Sequence, residues 1–212
     1  MTYNTEINTI VTALTGVSEK YFDYEKEKKR IVADYRGYAL EQSLKDIELK
    51  MSEATKLDVT IMDRAVARMI EEAKAGNHYD INDSAVANAA ALLSNGGIKI
   101  EVAIDVIKAF AGNITALELI KGSAHEMYRT LFNDFIFDNV GSLEYIQFRI
   151  NSLTYESADN YPSIVSQIRE RLVDFATRQG IDVNVSAGAL EEMRMKNICG
   201  LMGVDYESTL NK

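Results

Sequence analysis

Apolar residues recur along this chain at steps of three and four, with almost no alternation at a step of two. The first stripe is Ile10, Leu14, Val17, Tyr21, Tyr24, Ile31, Tyr35 and Tyr38, with Lys28 filling one seam position. That is a heptad seam, and it predicts one long helix or two nearly collinear helices over residues 5–55. Near Gly37 the phase shifts, and the stripe resumes as Leu40, Leu44, Ile47, Met51 and Ala54. Glycine costs a helix interior about 1 kcal/mol against alanine, so a kink is expected there. Between the stripes, Glu25–Arg30 mixes both signs, the pattern of a solvated helix face.

The same periodicity continues downstream. Asp58 or Thr60 is expected to cap a second helix to about Lys74, with Ile61, Ala65, Met69, Ile70 and Ala73 inward. Ala75–Asn77 ends it, and His78–Asn82 is a connector. Asp83 or Ser84 starts a third helix. Its run Ala85–Leu93 is small on most faces, which predicts the most buried helix of the fold. After Asn95–Gly97 comes a helix over Lys99–Ala111, with Val102, Ala103, Val106, Ile107 and Phe110 inward, then a long apolar helix over Thr115–Phe137. Val140–Gly141 reads as a break and Ser142 as a cap for helix 143–155, which turns Leu143, Ile146, Ile150 and Leu153 inward. Pro162 sits where a first-turn proline belongs and opens helix 163–178, whose inward face is Ile164, Val165, Ile168, Leu172 and Phe175. Gly180 closes it, Ile181–Val185 alternates as a short extended piece, and Ser186 caps a last helix to about Met202.

A single proline in 212 residues agrees with this pattern, because an interior proline breaks a helix. The predicted fold class is therefore all-α, with about eight helices. Residues 1–56 form a long N-terminal helix or helical arm. Residues 57–212 form an acidic globular helical domain whose tail from Gly203 is mobile.

Charge sharpens that division. The net charge is −9. Residues 1–56 hold ten acids and nine bases, so the acidity belongs to residues 57–212. Duplex nucleic-acid binding runs on clustered Lys and Arg and is not expected. No apolar run approaches the ~18 residues of a membrane span. Met1–Glu6 lacks a secretory pattern, and the lone Cys199 suits a reducing, cytoplasmic setting.

Candidate chemistry is sparse. The helix pair 85–94 and 99–111 has helix-turn-helix lengths, but Lys99, Glu101, Asp105 and Lys108 cancel, which favours a plain helical hairpin. His125–Glu126 begins a zinc-protease pattern that Arg129 ends, because a second histidine is needed there. Acids gather at Asp134, Asp138, Glu144, Glu156 and Asp159, with Asp134 and Asp138 four apart beside Phe135 and Phe137; a solvated face is the first expectation, a protein-contact patch the second and a carboxylate pair for acid–base or metal chemistry the third. Cys199 lies among Met193, Met195, Ile198, Leu201 and Met202 and reads as a structural thiol. No phosphate-binding glycine frame is present, and no metal or cofactor is expected.

The residues expected to contact protein are Tyr21, Tyr24, Tyr35 and Tyr38 on the seam, and Asp134, Asp138 and Glu144 on the acidic surface. The function that fits is a non-enzymatic interaction or assembly subunit, for instance an adaptor or connector of a virus-like particle. Its partner would be another protein or a second copy. An acidic inhibitor filling a basic groove on a nucleic-acid-handling protein is a second class, and a carboxylate-based enzyme a third.

Overall fold

With so few prolines, nearly every backbone N–H is free to enter a helix, and the chain uses this almost throughout. A computed structural model of the protein describes residues 3–76, 83–185 and 188–210. The fold is all-α, with no strand among the described residues. Among the described residues eight helices reach seven residues or more, the expected number. In chain order the helices are α1 (Asn4–Asp34), α2 (Gly37–Gly76), α3 (Ser84–Ser94), α4 (Ile100–Lys108), α5 (Ile114–Ser123), α6 (Glu126–Arg129), α7 (Asn139–Ser152), α8 (Tyr161–Arg178), α9 (Gly188–Leu201) and α10 (Tyr206–Leu210). Short 3-10 turns occupy Thr130–Asp134 and Ala158–Asn160.

The chain divides into two units, residues 1–69 with 144–212, and residues 70–143. In the first unit, α1 and α2 run antiparallel rather than as the one long or two nearly collinear helices expected over 5–55, because the chain leaves the helix at Tyr35 and reverses through Gly37. Glu6 meets Arg68 at 3.5 Å, while Lys20, further along α1, pairs with the earlier Asp58 of α2. The heptad seam of α1 is buried as the spacing predicts, from Ile7 through Ile10, Leu14 and Val17 to Ile31. It packs on α8 and α9, with Tyr3 edge-on to Phe175 at 5.3 Å. The inward faces expected for α7 and α8 are also buried. Each such aliphatic side chain is worth about 1.5–3 kcal/mol on burial, so this stripe holds the unit together.

The second unit closes around Leu93, Ile107, Leu117, Ile120, Tyr128 and Phe132. Tyr128 is fully buried, and its hydroxyl donates to Ile98 O at 2.6 Å and accepts from Ile98 N at 3.1 Å, pinning the α3–α4 turn. Gly112, at φ +77°, lies so close to Asn139 that a Cβ there would sit 2.1 Å from the amide nitrogen. Only glycine fits.

Several expectations fail for identifiable reasons. No cap stands at Asp58 or Thr60. α2 runs through both, Thr60 bonding back to Lys56 O at 2.8 Å and Asp58 pairing with Lys20. Its inward stripe takes Thr55 rather than Ala54, and Met62 rather than Ile61, which is 37% exposed. Helix α3 is not the most buried. Only Val86, Ala89 and Leu93 face inward, whereas α8 buries eight residues. Small side chains permit close packing without requiring it. Val102 of α4 is likewise exposed. The apolar stretch 115–137 is not one helix. α5 stops at Ser123, and His125 N donates to Leu93 O at 2.9 Å, which turns the chain. α7 begins at Asn139 instead of 143, because Asp138 Oδ1 accepts from Gly141 N at 2.8 Å and caps it. Residues 181–185 form no strand. The connector 78–82 and the cap at Ser186 lie outside the described residues.

Candidate functional site

The four seam tyrosines divide into two pairs. Tyr21 and Tyr24 are buried, their ring centroids 6.1 Å apart. The Tyr24 hydroxyl donates to Asp159 Oδ1 at 3.3 Å, and Lys28, 5.8 Å above the Tyr24 ring, pairs with the same carboxylate. Asp159 is presented by the 3-10 turn after α7, whose first residue donates its N–H to Glu48 Oε1 at 3.3 Å. Burial, reinforced by Glu25 and Asp159, pushes the Tyr21 hydroxyl well above its ordinary range. Burial and then Asp159 do the same for Tyr24. These rings line an open cleft of about 360 Å³ with Lys28, Lys29, Val32 and Asp159. Both hydroxyls stay protonated at neutral pH and neither is poised as a base.

Past Gly203, at φ +67°, α10 is tied to α1. Glu207 pairs with Lys29, and Lys196 stacks 4.6 Å over Phe22 and 5.7 Å over Tyr206 while pairing with Glu25. A cation held between two rings and a carboxylate is a packing device.

Tyr35 and Tyr38 have a different setting. α1 stops at Asp34, and the Tyr35 N–H still reaches Ile31 O at 2.9 Å. Arg36 Nη1 then donates to Val32 O at 2.7 Å, Ala33 O at 3.1 Å and Tyr35 O at 2.6 Å. This satisfies carbonyls that the helix end leaves open. Gly37 takes φ +58° and starts α2. The turn is thus tightly made, yet no residue from 32 to 46 is buried. Val32 is 48%, Tyr35 41% and Tyr38 76% exposed. The tip of the α1–α2 hairpin offers apolar and aromatic surface on a capped turn.

The acidic candidates are scattered. Asp134 ends the 3-10 turn and is exposed, and Asp138 sits in the loop that caps α7, so the two do not share a helix face. Both belong to the second unit, whereas Glu144 is an exposed residue in the first. No group of three His, Cys, Asp or Glu side chains is placed to hold a metal among the described residues. None of the described helices is long and apolar enough to cross a membrane. Cys199 is buried.

One surface escapes a reading based on inward stripes. Tyr145 and Phe148 stand on the face of α7 opposite Leu143, Ile146 and Ile150, and Tyr155 follows in the turn after the helix. Tyr145 is 37%, Phe148 56% and Tyr155 64% exposed. Arg171 stacks over Tyr145 at 5.2 Å, and the Tyr155 hydroxyl lies 3.0 Å from Ser152 Oγ, so the rings are held in place. The signal was a pair of aromatic residues three apart on the outer face of one helix.

No protein-family model, no curated protein and no solved structure matches this chain.

Proposed function

We propose that the protein is a non-enzymatic helical interaction or assembly subunit whose contact surface is the tip of the α1–α2 hairpin. The observation that carries this is the run of residues 32–46, none of them buried, with Val32, Tyr35 and Tyr38 exposed on a turn that Arg36 and Gly37 fix. Tyrosine is enriched among residues that dominate binding energy, because a rigid ring loses little entropy on docking. A pre-shaped tip binds without first having to be ordered.

The test places a photo-crosslinking residue at Tyr38, and at Thr5 as a control, and irradiates the protein in its native source. Covalent adducts concentrated at position 38, and lost from a Tyr35→Ser carrier, are expected. Equal yields at both positions would overturn the reading.

A further inference from the structure

We infer that α10 is a strap that lifts from α1 as a unit and, while seated, withholds Lys29 from the rim of the cleft beside Tyr21 and Tyr24. The device is independent of the hairpin tip as a contact surface. α9 and α10 are closed off separately. At the end of α9, Val204 N donates to Cys199 O at 2.9 Å and Gly203 N donates to Gly200 O at 3.1 Å. This is a Schellman ending, which satisfies the last carbonyls of α9 without help from α10. At the start of α10, Asp205 Oδ1 accepts from Glu207 N at 3.3 Å, and Asp205 O accepts from Ser208 Oγ at 2.7 Å. Rotation of the backbone between Val204 and Asp205 lifts α10 and leaves both sets of bonds intact.

The seat is shallow and polar. No residue from 200 to 209 is buried. The ties run between side chains. Glu207 pairs with Lys29, the two side chains 65% and 60% exposed, and the Tyr206 ring lies 5.7 Å from the Lys196 ammonium. Exposed ion pairs and surface cation–π contacts are weak. A segment held by them, with no buried side chain among residues 200–209, opens locally well before its unit unfolds. The two lysines fare differently when it opens. Lys196 keeps Glu25 and the Phe22 ring, 4.6 Å away. Lys29 loses Glu207, whose hydrogen bond holds the Lys29 ammonium above its ordinary range and the Glu207 carboxyl below its own. Lys29 lines the cleft with Tyr21, Tyr24 and Val32, where Asp159 already takes Lys28. The seated strap therefore neutralises the rim, and the lifted strap returns one cation to it.

A strap that lifts as a unit couples its two ties, and the full chain tests this in both directions. Tyr206→Ala removes the tie to Lys196 only. It should raise acetylation of Lys29, read by mass spectrometry against the exposed Lys45, by roughly threefold or more. Lys29→Gln removes the other tie. It should raise native-state chymotrypsin cleavage after Tyr206 by a similar factor. Cleavage should be fast in Glu207→Lys and return toward the wild-type rate in Lys29→Glu/Glu207→Lys, where the pair is restored with its signs exchanged. Urea midpoints should stay at the wild-type value throughout. If Tyr206→Ala leaves Lys29 at its wild-type rate, or Lys29→Gln leaves cleavage unchanged, the ties act separately and α10 is no strap. A midpoint that falls in step with the gain in cleavage would place α10 in the core and overturn the device as well.

Discussion

Tyr21 and Tyr24 lie on α1, whereas Tyr35 and Tyr38, placed on the same stripe by the sequence, lie in the turn after it and at the start of α2. The first pair has α8, α9 and the Asp159 turn within reach, and it is buried. The second pair lies past the end of α1, and it is exposed. An amphipathic stripe therefore records what a helix is able to bury, while the length of the surrounding elements decides where burial stops. The inner pair serves the stability of the first unit. The outer pair is exposed and stands outside that core.

The strongest way to break this comparison is to remove one ring from each pair. Tyr24→Ala opens a cavity and orphans Asp159 from the hydroxyl, and a loss of about 3 kcal/mol in urea unfolding is expected. A loss below ~1 kcal/mol would place Tyr24 outside the core.

Raising the pH separates the pairs without mutation. The Tyr21 and Tyr24 hydroxyls are held above the ordinary value of 10.0, chiefly by burial. Above about pH 10 the unfolded chain sheds these protons while the folded chain keeps them, so unfolding is favoured as pH rises. The stability they contribute is full below that pH and declines beyond it. Urea midpoints should hold from pH 8 to 9.5 and drop from pH 10 upward, with a shallower drop in Tyr21→Phe/Tyr24→Phe. An unchanged slope in that variant would show that the buried hydroxyls do not drive the alkaline loss. Part of the slope should remain, because burial also raises Tyr161.

Gly37 sets the direction of the outer pair. It takes φ +58°, yet nothing lies within 4 Å of where a Cβ would stand. Gly37→Ala is expected to cost about 1 kcal/mol from backbone strain alone, read as a small fall in unfolding midpoint. A cost above ~3 kcal/mol would mean that the tip is packed in a way its exposure does not reveal.

The smallest effect belongs to Tyr38→Ala, expected within about 0.5 kcal/mol of wild type by the same assay. That near-neutrality, set beside a loss of binding, is the signature of a surface kept for contact.

Helix content, the seam from Ile10 to Ile31, the inward faces of α7 and α8 and the role of Pro162 follow from the sequence alone, whereas the kink expected near Gly37 is a full reversal of the chain. Each depends on interactions within a few residues or on a long unbroken period, which a single chain records directly. Tertiary structure decided the rest. It carried α2 through Asp58, because an ion pair with Lys20 occupies that carboxylate and leaves no cap. It ended α5 at Ser123, where Leu93, thirty-two residues back, accepts the N–H of His125. It left α3 half in solvent despite its small residues, since only one face meets α5. It also buried Tyr21 and Tyr24, left Tyr35 and Tyr38 exposed, and left Tyr145 and Phe148 of α7 exposed. Periodicity specifies that a face will be apolar, but whether a neighbour covers it depends on residues far away in the chain, and no local pattern contains that information.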